Sequence, residues 1–253
     1  SKFGYNLIER IDDRIKLFDS ALNGMVEHFN PDLIVLACNT LSVLFPKTKF
    51  SREKNIPICG IIEPGIEILN KRLTENKNSA AIILGTETTV FSNTHKNLLV
   101  SLSIEPERII NQPCDFLESE IQVEPEGTAA KKMITKFTGS AINAAGQKFE
   151  KLYFALCCTH YQYSKNVFKQ IISNLTDQPF EIIDPNEFLV KYVLQFANKN
   201  SKPDTKNSKV KSRVVCKFEI PKNEIEILSP LLEKESTYFA KAFRKFDLNK
   251  ELF

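Results

Sequence analysis

The feature that most constrains the fold is a regular alternation between short apolar runs and longer segments with helical periodicity. Residues 33–38 form a continuous apolar run rich in branched side chains, which is typical of a strand buried on both faces. The preceding residues, 7–29, carry apolar side chains every three or four positions, as one face of an amphipathic helix does. The alternation predicts an α/β fold with mainly parallel sheets covered by helices.

The same two signals recur along the rest of the chain. Strands are predicted at 56–62, 80–85, 108–111, 152–157, 180–184 and 214–220, and helices at 164–175, 186–197 and 230–246. Residues 198–213 are rich in lysine, asparagine and serine and predict a solvated loop rather than a basic contact surface. In open α/β sheets ligands bind at the carboxyl ends of strands, so functional residues are expected there.

Composition excludes several classes of protein. The chain has 253 residues, 42% apolar and 26% charged, which fits one or two globular domains. A net charge of +3 gives no argument for a nucleic-acid or membrane partner. No apolar run approaches the roughly 18 residues of a membrane span, and the charged start does not resemble a signal peptide. We therefore predict a cytoplasmic protein whose six cysteines are reactive or buried thiols rather than disulfides.

Motifs for common cofactors and metals are missing from the sequence. There is no dinucleotide-binding glycine fingerprint, no P-loop, no paired-histidine zinc motif and no C-x-x-C pair. The three histidines are widely spread along the chain. A structural metal site is therefore not expected.

Two predicted strand ends are alike. One ends in Cys38-Asn39-Thr40 and the other in Cys158-Thr159-His160, 120 residues further along. In each, an apolar strand is followed by cysteine, then by hydrogen-bonding residues and a helical segment. The chain is therefore predicted to contain two quasi-equivalent halves, each placing a thiol where ligands bind.

Such a pair of thiols suits one kind of chemistry. A helix N-terminus or a neighbouring histidine can shift a thiol toward thiolate, and free backbone N–H groups bind carboxylates. Two thiols on opposite faces of a substrate carbon can act as base and acid in turn. The pattern predicts inversion of a carbon centre without a cofactor.

The remaining cysteines are predicted to be packing residues. Cys59, Cys114 and Cys216 each have the character of a small buried hydrophobe. Successive strand residues point to opposite faces, so only one of Cys157 and Cys158 can reach the site. The parallel with Cys38 selects Cys158.

Five ordered motifs carry a resemblance to a known family. They are Ala37–Thr40 (ACNT), Gly60–Gly65 (GIIEPG), Leu84–Ser92 (LGTETTVFS), Cys158–Tyr161 (CTHY) and Ile182–Asp184 (IID). With these five motifs in this order, the chain resembles the glutamate racemases. They belong to the cofactor-independent aspartate/glutamate racemase superfamily. The resemblance covers residues 3–190.

The resemblance implies a fold and a function. It implies two pseudo-symmetric three-layer α/β domains, 1–61 plus 185–253 and 62–184, with the active site in the cleft between them. It also implies interconversion of L- and D-glutamate, which supplies D-glutamate for peptidoglycan. The expected enzyme is a homodimer that needs no cofactor or metal.

The resemblance also implies roles for individual residues. Cys38 and Cys158 would be the catalytic acid/bases, with His160 beside the second. The expected substrate-binding positions are Phe3, Gly4, Asn39, Thr40, Thr86, Thr89, Thr159 and His160. A further acid is expected shortly after Cys114, and both Glu118 and Glu120 are candidates.

One family motif has no counterpart here. The family begins with a strand ending in Asp-Ser-Gly, and this chain is expected to lack that strand. Phe18-Asp19-Ser20 matches it by letter but lies within the predicted first helix, so we interpret it as a coincidence. Two alternatives therefore stay open: a racemase for aspartate or another amino acid, or a non-catalytic glutamate-binding relative.

Overall fold

A computed structural model describes residues 8–200 and 211–252 of the chain. The predicted positions Phe3 and Gly4 lie outside the described residues. Most of the predicted loop 198–213 also lies outside them.

The described residues form parallel strands alternating with helices. The strands are β1 (Ile34–Leu36), β2 (Ile58–Gly60), β3 (Ser79–Gly85), β4 (Ile109–Pro113), β5 (Lys151–Cys157), β6 (Phe180–Ile183), β7 (Val215–Cys216) and β8 (Asp247–Leu248). The helices are α1 (Ile11–Phe29), α2 (Asn39–Leu44), α3 (Phe50–Glu53), α4 (Ile62–Glu75), α5 (Glu87–Phe91), α6 (Thr94–Ser101), α7 (Leu117–Val123), α8 (Thr128–Ala145), α9 (Lys165–Leu175), α10 (Pro185–Asn200), α11 (Lys222–Glu235) and α12 (Thr237–Arg244). The predicted α/β class with parallel sheets is confirmed.

The chain divides into two compact units. The larger comprises Leu33–Pro46 and Pro57–Gln195, and the smaller takes its described residues from Ser1–Asp32, Lys47–Ile56 and Phe196–Phe253. The domain boundaries implied by the family resemblance stay a prediction.

The larger unit contains two parallel sheets. In one, β1 pairs with β2. In the other, the strand order is β4-β3-β5-β6. The carboxyl ends of parallel neighbours fall at the same edge of a sheet, and Gly85, at the end of β3, lies opposite Cys157 on β5.

Helices cover both faces of the four-stranded sheet. Ile82 and Phe154 share a buried cluster with Phe137 of α8 and Phe168 of α9. The alternate strand residue Ile83 is fully buried as well and points to the opposite face, where α4 packs. Burial on both faces explains why β3 and β5 are apolar runs rather than alternating ones.

A buried arginine connects α4 to the start of β3. Arg108 donates hydrogen bonds to the backbone carbonyls of Leu73, Asn76 and Ser79, at 2.7, 2.9 and 2.8 Å. It also pairs with the carboxylate of Glu105 at 2.9 Å. Its guanidinium therefore satisfies carbonyl groups that the end of α4 would otherwise leave without partners.

In the smaller unit, Asp19 lies within α1, as predicted. Its Oδ1 accepts a hydrogen bond from the backbone N–H of Phe50 at 2.8 Å, which ties α1 to the start of α3. This local packing role supports the interpretation of the Phe18-Asp19-Ser20 match as a coincidence.

Two predictions for the C-terminal segment are wrong. A single helix was expected at 230–246, but the chain forms α11 and α12, because Ser236 adopts an extended conformation between them. The Ser236 hydroxyl accepts from the N–H of Phe239 at 3.2 Å and so begins α12. The strand expected at 214–220 is limited to Val215–Cys216. Across the residues that the structure describes, no helix is long and apolar enough to span a membrane.

Candidate active site

Cys38 lies just beyond β1, at the N-terminus of α2. It is half-buried and has an extended backbone. Burial raises the pKa of its thiol, while hydrogen bonds from the backbone of Leu41, and from the backbone and side chain of Thr40, act in the opposite direction. The start of α2 therefore directs donors at the sulfur, as expected for a helix N-terminus.

Cys158 follows β5 directly and precedes the 3₁₀ turn Thr159–Ser164. Its sulfur lies 3.8 Å from Nδ1 of His160. Burial raises the pKa of the Cys158 thiol well above its ordinary value, and the charges of Cys38, Glu118 and Cys114 raise it further. Both predicted acid/base thiols lie in the larger unit, and Cys38 is among the groups that raise the pKa of Cys158.

The predicted shift of a thiol toward thiolate, with one sulfur of the pair ionised, does not hold for the ligand-free protein. For both Cys38 and Cys158, burial outweighs the donors that favour the charged form. His160 does not compensate, because burial lowers its pKa and favours the neutral ring. Both sulfurs are therefore thiols near neutral pH when no ligand is bound.

Three predicted threonines meet in a hydroxyl cluster. The Thr40 Oγ1 lies 2.9 Å from that of Thr86 and 3.3 Å from that of Thr89, and the latter two are 3.1 Å apart. All three side chains are buried. The cluster joins the residue after β1 to the turn after β3, so it links the two sheets of the larger unit.

The turn that presents two of these threonines is closely packed around the glycine before it. Thr86 is the N-cap of α5, and its hydroxyl accepts from the N–H of Thr89. A Cβ atom at Gly85 would lie 3.2 Å from Cγ2 of Thr89 and 3.3 Å from the Cys157 carbonyl oxygen. The absence of a side chain therefore lets α5 begin directly beside the end of β5.

Asn39 has an unusual environment. Its side chain is 1% exposed, and neither its amide nitrogen nor its amide oxygen has a hydrogen-bond partner. Buried polar atoms without partners are rare and costly in folded proteins. Asn39 is therefore suited to hydrogen-bond with a polar ligand.

The structure also distinguishes the two candidate acids. Glu118 is buried in α7, and its charge raises the pKa of Cys158. Glu120, on the same helix, is only half-buried and does not act on that thiol. Of the two candidates, Glu118 is therefore the one that influences the pKa of the second thiol. Thr159 is half-buried in the turn that follows Cys158.

Sequence reasoning overlooked two residues near Cys158. Cys114 was predicted to be a packing residue; it is fully buried, yet it also influences the pKa of Cys158. Tyr161 was quoted within a motif without a role, and its pKa is raised by burial and by the charges of Cys114 and Cys158. Within the described residues, no group of three or more histidine, cysteine or acidic side chains is arranged to hold a metal ion.

The raised thiol pKa values give a testable pH dependence. A thiol whose pKa lies above the ordinary value of about 8.5 is less ionised at pH 8 than a free cysteine. In the ligand-free protein, we expect iodoacetamide labelling of Cys38 and Cys158 to keep rising above pH 9. Mass spectrometry of each labelled peptide measures this. The same protein unfolded in urea is the control, and its thiols should follow the ordinary profile. A labelling plateau below pH 8 in the folded protein would contradict the expectation.

Fold and site together define an α/β protein with a polar site served by two thiols, a cluster of hydroxyls and an unpartnered amide. No family model matches the chain. The chain is 25% identical over 180 residues to the glutamate racemase of Aquifex pyrophilus, covering 71% of this chain and 64% of that protein. It is 39% identical over 77 residues to the glutamate racemase of Helicobacter pylori strain J99, covering 29% of each. The matched part thus spans less than two thirds of these relatives.

A solved structure agrees with these relatives. The glutamate racemase of Francisella tularensis, in complex with D-glutamate, superposes with a TM-score of 0.73 and 20% identity. The match covers 99% of this chain and 85% of that one. The resemblance to the glutamate racemases is therefore confirmed by named relatives, and the fold by this structure.

Proposed function

We propose that this chain interconverts L- and D-glutamate, with Cys38 and Cys158 as its two acid/base groups and without a cofactor. The observation that carries the proposal is a pair of thiols, each just beyond a strand of a parallel sheet, with the buried hydroxyl cluster and the unpartnered Asn39 amide following the first of them. The family named by the relatives, and the D-glutamate bound to the Francisella tularensis enzyme, support glutamate as the substrate.

In the proposed reaction, one sulfur removes the Cα proton as a thiolate and the other donates a proton to the opposite face. Each turnover leaves the first sulfur protonated and the second as a thiolate. This is the protonation state that the reverse reaction needs, because the second sulfur then acts as the base. A thiolate must first form, and the α-ammonium of the substrate favours it by bringing a positive charge to the site.

The developing negative charge on the substrate needs fixed donors, because no cofactor accepts it. We assign carboxylate binding to Asn39, the hydroxyls of Thr40, Thr86 and Thr89, and Thr159. His160 is assigned to the side of Cys158, where its Nδ1 lies 3.8 Å from the sulfur. Glu118 is proposed as the acid that supports this side of the site.

The family resemblance supports further parts of the proposal. These are a supply of D-glutamate for peptidoglycan, a location in the cytoplasm and a homodimeric assembly. The predicted positions Phe3 and Gly4 stay predictions. The placement of the active site in a cleft between two domains, which the resemblance implies, also stays a prediction.

The test is exchange of the Cα proton in deuterated water. With either enantiomer of glutamate, we expect loss of the Cα proton signal by NMR and convergence to an equal mixture by chiral chromatography. Aspartate is measured in parallel. Faster turnover of aspartate would identify a different amino-acid racemase. Calorimetric binding of D-glutamate with no exchange would identify a binding relative instead and would overturn the proposal.

A further inference from the structure

Tyr161 is a fully buried polar side chain to which the proposed reaction gives no task. It lies three residues after Cys158, in the 3₁₀ turn Thr159–Ser164. Its ring packs on Phe168 of α9 with the ring centroids 5.8 Å apart. A phenylalanine would fill the same space, so the hydroxyl calls for a separate explanation.

The backbone N–H and the side-chain hydroxyl of Tyr161 each bond to the backbone of a cysteine. Its N–H donates to the carbonyl of Cys158 at 3.0 Å, and its hydroxyl donates to the carbonyl of Cys114 at 3.4 Å. The N–H of Cys114 in turn donates to the carbonyl of Gly85 at 2.8 Å. Tyr161 thus connects the backbone of the second thiol to the segment that follows β4.

That segment carries the acid of the second thiol. Cys114 lies three residues before α7, and α7 carries Glu118. The ionisable groups that interact electrostatically with Cys158 are Cys38, Glu118 and Cys114, and His160 lies beside its sulfur. Burial keeps the Tyr161 hydroxyl protonated, since it raises the pKa of that group well above its ordinary value. The hydroxyl is therefore a neutral donor.

We propose that Tyr161 is a positioning residue, whose hydroxyl holds the Cys158 turn at a fixed distance from the Cys114–Glu118 segment. Residues that orient a catalytic group contribute to rate because small displacements of that group are costly. The inference rests on the proposed function for its kinetic consequence. Its structural part, the position of the Cys158 sulfur, can be measured without substrate.

The test replaces the hydroxyl alone, with Tyr161→Phe. Without the bond to Cys114, the Cys158 turn can move away from Glu118 and admit water, and both changes lower the Cys158 pKa toward its ordinary value. We expect iodoacetamide labelling of Cys158 at pH 8 to accelerate by at least about threefold, with Cys38 unchanged. We expect kcat for glutamate to fall about tenfold, with KM changed by less than about threefold.

Two further variants make the test decisive. Tyr163→Phe removes a hydroxyl from the same turn, two residues further along, and should leave the labelling of Cys158 unchanged. Phe168→Leu keeps the Tyr161 hydroxyl but loosens the packing of its ring, so it should accelerate Cys158 labelling in the same direction. If Tyr161→Phe fails to fold, as judged by thermal unfolding, Phe168→Leu still carries the test.

Unchanged Cys158 labelling in a folded Tyr161→Phe variant would overturn the inference, as would an equal effect of Tyr163→Phe. Because labelling is read without substrate, this result is distinct from a failure of the proposed function. If the parent protein does not racemise glutamate but Tyr161→Phe still accelerates the labelling of Cys158, the positioning role of Tyr161 stands. Only the proposed reaction then fails.

Discussion

Replacing Cys158 with serine is expected to lower the rate of glutamate racemisation by at least about 10³-fold, and Cys38→Ser is expected to do the same. Serine keeps the size of the side chain and its ability to hydrogen-bond. A hydroxyl is, however, a far weaker acid than a thiol, so it neither ionises to supply an anionic base near neutral pH nor donates its proton readily to the substrate carbon. Since inversion needs both faces, each single change should abolish it.

A matched control lies beside one of these residues. Cys157 is next to Cys158 but points to the other face of β5, where burial and the charge of Asp184 raise its thiol pKa to about 12. Cys157→Ala removes this thiol and should leave turnover within about threefold of the parent. Racemisation is measured by circular dichroism from each enantiomer. Serine variants that retain more than about a tenth of the parent rate would contradict the two-thiol mechanism.

Arg108→Met is expected to lower the free energy of unfolding by about 3–5 kcal/mol. Arg108 is 6% exposed, and its guanidinium bonds to three backbone carbonyls and one carboxylate. Methionine fills much of the same volume but donates nothing, so the carbonyls of Leu73, Asn76 and Ser79 lose their charged partner. Folded domains have only about 5–15 kcal/mol of stability, so this change alone removes a large fraction of it.

Arg72→Met is the control for Arg108. Arg72 bonds to Glu181 at 2.9 Å, but both side chains are about a third exposed, and such pairs contribute about 1 kcal/mol or less. Urea unfolding followed by circular dichroism gives both values. If Arg108→Met lowers the free energy of unfolding no more than Arg72→Met does, the buried hydrogen bonds of Arg108 do not stabilise the fold as proposed. Arg108→Lys should fall between them, because it keeps the charge with fewer fixed donors.

Local sequence pattern predicted most of the larger unit. β3 and β5 are apolar because both of their faces are covered, and this leaves a clear signal along the chain. The C-terminal segment was harder to predict from sequence, because a single residue separates its two helices. Ser236 ends α11 and caps α12, and no apolar periodicity records a break of that kind. The short pairing of β7 with β8 depends on residues far apart in sequence and has no local signal.

Motifs in the sequence selected the candidate site residues, but they did not predict the pKa shifts of the thiols. Thr40, Thr86 and Thr89 were chosen by motif, and the structure brings their hydroxyls together. The direction of the thiol pKa shifts was wrong, because burial depends on tertiary packing that a motif does not encode. The choice between Glu118 and Glu120 depended in the same way on which face of α7 is buried.

The hydroxyl cluster has a consequence for how protons are distributed around Cys38. Each threonine hydroxyl carries a single proton, and three such protons serve the three contacts within the cluster. The Thr40 hydroxyl also bonds to the Cys38 sulfur, which becomes the stronger acceptor once it is a thiolate. Ionisation of Cys38 therefore draws the Thr40 proton toward sulfur and leaves two protons for the three contacts of the cluster. The charge state of one thiol thus sets how many hydrogen bonds the cluster can make with the turn after β3.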